Sequence, residues 1–273
     1  MLLGSIGVLA LILAAAACAG DPLWMFLVFF VSSYLALLGA AFLFLAVICL
    51  LVDTKKEQEH DSRFYRRVMY VYIDALITLV GMRVHTRGLE NTPKEGRFML
   101  VCNHQMMADP GVLLACFKKS QLAFISKKEN MRIPIVGKMM HRIMCQMLDR
   151  ENDRQALKTI LKCIQLIKED EVSIGVFPEG YTSKDGKLHH FRSGVFKIAQ
   201  KANVPIVVCT IQGTRELLPN LKRLKRTDVD LHLVGVIPAE ELKGHTAVEI
   251  GDRVYQMMID DLGPEFLPEE QNT

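Results

Sequence analysis

The chain has 273 residues, 50% of them hydrophobic and only 23% charged, with a formal net charge of +3. The apolar surplus is concentrated in residues 1–52, where Asp21 is the single charged side chain; this excludes a wholly soluble protein, a disordered chain and a polytopic membrane protein. With Asp21 set aside, residues 53–273 carry +4, too little for a general nucleic-acid binder and better suited to anionic small molecules or lipid head groups.

Residues 2–19 and 23–52 are uncharged stretches of the length needed to cross a hydrocarbon core, which takes about 20 residues. Only Gly20-Asp21-Pro22 separates them, so a transmembrane helical hairpin is predicted over residues 1–52. A secretory signal is the competing reading of residues 1–19, and Ala17-Cys18-Ala19 hints at a lipoprotein cleavage site. The hairpin is favoured because no Lys or Arg precedes the first apolar run and a second run follows at once. Lys55, Lys56, Arg63, Arg66 and Arg67 then place the downstream domain on the cytoplasmic side of the cell membrane. Residues 53–84 form an interfacial or linking segment. Its mixture of Arg63, Arg66 and Arg67 with Phe64, Tyr65, Tyr70 and Tyr72 suits a helix in the head-group layer, and a buried first helix of the soluble domain fits almost as well.

Short apolar runs at 98–102, 122–125, 143–148, 172–177, 205–211 and 229–237 read as strands. Between them Leu157, Ile160, Leu161, Ile164 and Ile167 mark one helix face, and Val195, Ile198 and Ala199 another. The alternation predicts an α/β fold, a central mixed sheet covered by helices, as one domain over residues 85–262. Thr246-Ala247-Val248-Glu249 has capping-box spacing and opens a helix running towards Leu262. The tail, 263–273, is expected to fray. The seven cysteines are scattered without a C-x2-C pair and read as reduced packing residues.

The strand ending at Cys102 runs into Asn103-His104, and Asp109 follows five positions after the histidine. An imidazole can take a hydroxyl proton near neutrality, and a carboxylate on its other nitrogen fixes the tautomer and stabilises the imidazolium. Asp109-Pro110 equally has the form of a helix N-cap and first turn, and one residue can serve in both ways. A second strand ends in Phe177-Pro178-Glu179-Gly180-Tyr181-Thr182-Ser183. Gly175 to Thr182 nearly spells a phosphate-binding P-loop, but Tyr181 replaces its lysine and Pro178 removes a backbone donor. Lys127 and Asp149-Arg150 follow other apolar runs, and Arg192, after His189-His190-Phe191, adds a further cation; each alone reads as surface charge, and the repeated placement after strands points to an anion pocket. No nucleophile elbow, H-E-x2-H motif or cysteine ligand pair occurs.

Over residues 85–215 these segments resemble the glycerolipid acyltransferase family, specifically the 1-acyl-glycerol-3-phosphate acyltransferases. Asn103-His104 with Asp109 matches N-H-x4-D, Asp149-Arg150 the end of a second block, Phe177-Pro178-Glu179-Gly180 the F-P-E-G block, and Val204-Pro205-Ile206-Val207 a fourth. The resemblance implies transfer of a fatty acyl group from a thioester, on coenzyme A or acyl carrier protein, to the free hydroxyl of lysophosphatidic acid, giving phosphatidic acid. It implies His104 as general base and Asp109 as its orienting partner, with Arg150, Glu179 and Gly180 binding the acceptor's glycerol phosphate. Lys127 and Arg192 are added as substrate-binding residues from their charge and placement. Tyr181-Thr182 departs from the Thr-Arg usual after F-P-E-G, which leaves other lysophospholipids or glycerol-3-phosphate open as acceptor. The expected partners are the acceptor lipid, the acyl donor and the bilayer, with no nucleic acid. A thioester is already activated, so neither metal nor other cofactor is expected. A lipid phosphoesterase or phospholipase, using His104 to activate water, is the competing reaction, and a non-enzymatic lipid-binding protein is a third reading.

Overall fold

The computed structural model of the protein describes residues 1–149 and 152–268. Two apolar helices come first, α1 (Leu2–Ala17) and α2 (Leu23–Leu50), folded back on each other as the predicted hairpin. At 1.5 Å per residue α2 is about 42 Å long, more than a hydrocarbon core of about 30 Å, whereas α1 reaches about 24 Å. Ile6, Ala10 and Ala14 are the buried positions of α1, and their spacing of four puts them on one inward stripe.

Helix α3 (Arg63–Leu79) runs antiparallel to α2, because the hydroxyls of Tyr65 and Tyr72 donate to the carbonyls of Ile48 (2.9 Å) and Ala41 (2.6 Å). Arg66, Met69 and Ala75 turn inward, while Phe64, Val71, Leu76 and Leu79 stay exposed. One face therefore packs inward as the domain's first helix, and the other keeps an apolar surface exposed. Arg66 is the clip. Its guanidinium donates twice to the Asp61 carboxylate (2.7 and 2.8 Å) and to the carbonyls of Leu122 (2.8 Å) and Ile143 (3.2 Å).

The sheet that follows is built from β1 (Met82–Arg87), β2 (Met99–Cys102), β3 (Leu122–Lys127), β4 (Gln146–Leu148), β5 (Ser173–Val176), β6 (Ile206–Gln212) and β7 (Thr227–Ile237). Their order is β1-β7-β6-β2-β5-β3-β4. Strands β6, β2, β5, β3 and β4 are mutually parallel; β7 is antiparallel to β6 and parallel to β1, so the sheet is mixed. β1 was not anticipated, and it straddles the expected boundary at residue 84. It is an edge strand, paired only to β7, and its alternation of Arg83, His85 and Arg87 with smaller residues lacks the continuous apolar run of a buried strand.

Helices α4 (Asp109–Cys116) and α5 (Val136–Arg142) lie with α3 on one face of the sheet. On the other lie α6 (Asp153–Lys168) and α7 (Lys197–Ala202), as right-handed crossovers require. Beyond the end of β6 the short α8 (Leu217–Lys222) leads into β7, and α9 (Ala247–Leu262) packs on β6 and β7. α9 opens with the expected capping box, in which Thr246 and Glu249 each bond the other's backbone N–H. The fraying expected of the tail falls partly on residues 269–273, outside the described residues. All seven cysteines are unpaired and five are buried.

This topology fixes the location of the site. β2 and β5 are neighbours, but the chain leaves β2 towards β3 and leaves β5 towards β6, in opposite directions across the sheet. At such a switch point the two connections diverge to opposite faces, and a crevice opens outside the carboxyl ends of the strands.

Candidate active site

The turn after β2 begins with Asn103, which is buried and latched to β6: its Nδ2 donates to the Ile211 carbonyl (2.9 Å) and its Oδ1 accepts from the Ile211 N–H (2.7 Å). This ties the start of the His104 turn to a strand 108 residues away. The His104 ring then projects from the sheet edge with its side chain 16% exposed.

Asp109 is fully buried, and its Oδ2 accepts three hydrogen bonds, from His104 Nδ1 (2.8 Å), Gln105 N (2.7 Å) and Met106 N (2.8 Å). A carboxylate so placed holds the ring with Nδ1 as donor and leaves Nε2 as the proton acceptor. The N-cap alternative does not apply. Asp109 is already the first residue of α4, the preceding position is Ala108 without a side-chain cap, and the carboxylate turns back into the loop.

The F-P-E-G turn comes off β5 next door. Gly180 donates to the Phe177 carbonyl (3.0 Å) and takes φ = 82°, a conformation with little cost only for glycine. Phe177 stacks on His104 with ring centroids 4.2 Å apart and on Phe124 at 5.6 Å. Gly175, suggestive of a P-loop in the sequence, is there for packing: a Cβ would run into the Phe124 ring.

Glu179 is 1% exposed, and its two oxygens accept from the backbone N–H groups of His104 (2.8 Å) and His189 (3.2 Å). It lies inside the turn and sets the position of the His104 backbone, so the motif presents Phe177, Pro178 and Gly180 to the cleft and not the Glu179 carboxylate. Burial pushes the Glu179 carboxyl up to about 7, against the pull of those two N–H donors and of the His104 and His189 rings. Ser183 closes the same junction by donating its N–H to the His104 carbonyl (2.9 Å). Cys102, two residues before the histidine, is fully buried and desolvation holds its thiol well above the ordinary value, which removes it as a competing nucleophile.

A cleft opens beside this pair, lined by Ile125 and Ser126 of β3, Leu148 of β4, Val176 of β5, the Phe177-Pro178 turn, Gly180 and Arg192. Arg192 is held there by its backbone N–H, bonded to the Pro178 carbonyl (2.9 Å). Lys127 ends β3 on the same edge and is exposed, and Asp149 follows β4. Arg150 lies outside the described residues. The structure thus gathers His104, Asp109, Glu179, Gly180, Lys127 and Arg192 along one sheet edge. Phe177, Asn103, Ser183 and His189 escaped sequence reasoning as site-forming residues; the signal for Phe177 and Asn103 was their position in the two motifs. Among the described residues no three His, Cys, Asp or Glu side chains converge as a metal site.

Residues 83–212 match the acyltransferase family profile. The probable 1-acyl-sn-glycerol-3-phosphate acyltransferase of Mycoplasma pneumoniae is 30% identical over 194 residues, covering 68% of this chain and 72% of that protein. The chain belongs to the acyltransferase family. The family resemblance drawn from the ordered motifs therefore holds. The chloroplastic 1-acyl-sn-glycerol-3-phosphate acyltransferase BAT2 of Brassica napus is 34% identical over 160 residues, 57% of this chain; the chain spans about half the length of that relative, 46%. The crystal structure of the 1-acyl-sn-glycerophosphate acyltransferase PlsC from Thermotoga maritima matches with a TM-score of 0.60 at 26% identity, covering 72% of this family member and 79% of that chain.

Proposed function

We propose that this chain is a membrane-bound acyltransferase that moves a fatty acyl group from a thioester to the free hydroxyl of a 1-acyl-glycerol-3-phosphate, giving phosphatidic acid. The hydrogen bond from His104 Nδ1 to the buried Asp109 carboxylate carries the proposal, because it leaves Nε2 to act as the base. Nε2 takes the acceptor's hydroxyl proton as the oxygen forms its bond to the thioester carbonyl carbon. The resulting tetrahedral centre breaks its C–S bond, and the departing thiolate takes the proton back from His104. Asp109 stabilises the imidazolium between these two transfers. The cleft beside Phe177 receives the acceptor, with Arg192 in its lining supplying a cation for the phosphate; Lys127, exposed at the end of β3, and Arg150, assigned through the family motif, add to that charge. The donor is acyl-coenzyme A or acyl carrier protein, and no metal or other cofactor enters the reaction; activity lost to a chelator and restored by a divalent ion would contradict that.

The apolar hairpin supports a membrane anchor that keeps the site where a lysolipid partitions, with the domain on the cytoplasmic side. Acyl transfer from palmitoyl-coenzyme A or acyl carrier protein to lysophosphatidic acid is measured for the purified protein and for folded His104→Ala. Phosphatidic acid formed by wild type and lost in the variant is the expected result. A fully active variant overturns the mechanism, and product release without a thioester identifies a hydrolase instead. Tyr181-Thr182, standing where a Thr-Arg pair is usual, with Tyr181 exposed, favours testing other lysophospholipids as acceptors in parallel.

A further inference from the structure

Residues 217–226 read Leu-Leu-Pro-Asn-Leu-Lys-Arg-Leu-Lys-Arg and cover α8 with the turn that follows it. Leu217 is buried, but Leu218 is 54% exposed, Leu221 42% and Leu224 94%. Leu224 also holds φ = 52°, where Gly or Asn is favoured and a leucine brings no folding benefit. The turn is nonetheless built: Arg223 N and Lys225 N both donate to the Asn220 carbonyl (3.0 and 2.9 Å), and Leu224 N donates to the Leu221 carbonyl (3.1 Å). Lys222, Arg223, Lys225 and Arg226 surround Leu224, and within the described residues none of the four takes part in an ion pair. A rigid tip that pairs exposed leucines with unpaired cations fits the interface of a membrane carrying anionic lipid.

Its place in the fold selects that partner. α8 lies beyond the carboxyl end of β6, which is the edge of the sheet that carries His104 after β2. The end of α3 meets the same edge: Thr227 N donates to the Gly81 carbonyl (3.1 Å), and Gly81 sits against Arg226. Since Tyr65 pairs with Ile48 and Tyr72 with Ala41, the end of α3 comes level with about residue 34 of α2. The first 11 residues of α2 therefore project roughly 16 Å past that edge, together with the hairpin tip. The hairpin, the exposed Leu76 and Leu79 at the end of α3, and the leucines of α8 all lie towards one side of the molecule.

We propose that residues 217–226 form a second membrane contact, with Leu218, Leu221 and Leu224 entering the bilayer interface while Lys222, Arg223, Lys225 and Arg226 pair with anionic lipid phosphates. One hairpin leaves the domain free to tilt about its attachment; a second contact beyond β6 holds the His104 edge of the sheet against the surface through which a lysolipid arrives. The proposal rests on the hairpin entering the bilayer.

Trp24, in the hairpin, is the single tryptophan, so it reports the anchor, and Leu224→Trp in a Trp24→Phe background reports the tip. Full-length proteins are reconstituted in phosphatidylcholine vesicles with or without about one third phosphatidylglycerol, using chain-brominated phosphatidylcholine as quencher. The expected result is blue-shifted, quenched emission from Trp24 in wild type and from the tip tryptophan in anionic vesicles, with the tip signal about threefold weaker in neutral ones. Leu221→Trp in the same background repeats the measurement, so that one disruptive substitution does not decide it. A tip tryptophan that stays water-exposed while Trp24 is quenched overturns this proposal and leaves the anchor intact. If neither is quenched, the membrane-bound reading fails as well. A blue shift that rises with protein density and ignores bromine means a second copy covers the tip, and also overturns the proposal. Changing all four cations to glutamine is expected to lower activity on vesicle-borne lysophosphatidic acid about fivefold and to leave turnover of a short-chain, water-soluble acceptor unchanged; equal loss on both acceptors counts against it.

Discussion

Asp109→Asn isolates the charge of the orienting carboxylate. An amide can sit in the Asp109 pocket in only one way, because Oδ2 accepts from Gln105 N and Met106 N as well as from His104 Nδ1, and an NH2 group there would face three donors. The amide oxygen therefore takes the Oδ2 position and preserves the His104 tautomer, and the NH2 group falls where Asp109 Oδ1 is buried without a hydrogen-bond partner. What is lost is the anion beside the imidazolium. Two unit charges about 4 Å apart at an effective dielectric near 20 interact by about 4 kcal/mol, so kcat should fall about 10³-fold while KM changes little. Since Oδ1 is already without a partner, the NH2 group exchanges one unsatisfied buried group for another, and the melting midpoint should move by no more than a few degrees. Steady-state transfer from a thioester to lysophosphatidic acid, with thermal unfolding in the same detergent, reads both. A folded variant within about threefold of wild-type kcat, or a loss confined to KM, would refute the role given to the charge.

Three further outcomes follow from the packing. Because burial moves the Glu179 carboxyl from 4.5 to about 7, the folded protein holds that proton more tightly than the unfolded chain. Its contribution is most favourable below pH 4.5 and is lost as pH rises to about 7, about 3 kcal/mol in all; Glu179→Gln should flatten that part of the stability profile, and an unchanged profile would assign the pH dependence elsewhere. Gly175→Ala should displace the Phe124 ring, and through Phe177 the His104 ring, costing about 1–3 kcal/mol and lowering kcat more than it raises KM; full activity would mean the stack does not position His104. Arg66→Ala strands the buried Asp61 carboxylate and should cost about 3–5 kcal/mol in denaturant unfolding, whereas replacing both partners by apolar residues should cost much less.

A single charge, Asp21, in residues 1–52 was enough to locate the hairpin, since two uncharged runs of that length on either side of a short polar turn have few other places to be. Apolar runs of four to nine residues located six strands, the 3.6-period faces between them located α6 and α7, and Thr246 and Glu249 located the start of α9 by a rule that operates within four residues. His104 and Asp109 were legible as a pair for the same reason: their interaction is local, five residues apart. The tertiary structure decided the rest. Glu179 reads as a polar turn residue at the cleft, but its partners are backbone groups of His104, 75 residues earlier, and of His189, so its inward orientation has no local signature. β1 pairs only with β7, more than 140 residues later, and Asn103 with Ile211; neither pairing leaves a periodic trace. Basic residues interspersed with leucines in 217–226 look like an ordinary surface helix until the fold sets them on the edge of the sheet that carries His104. Local chemistry specifies which groups are present; the order of the strands and the direction of their crossovers specify which of them meet.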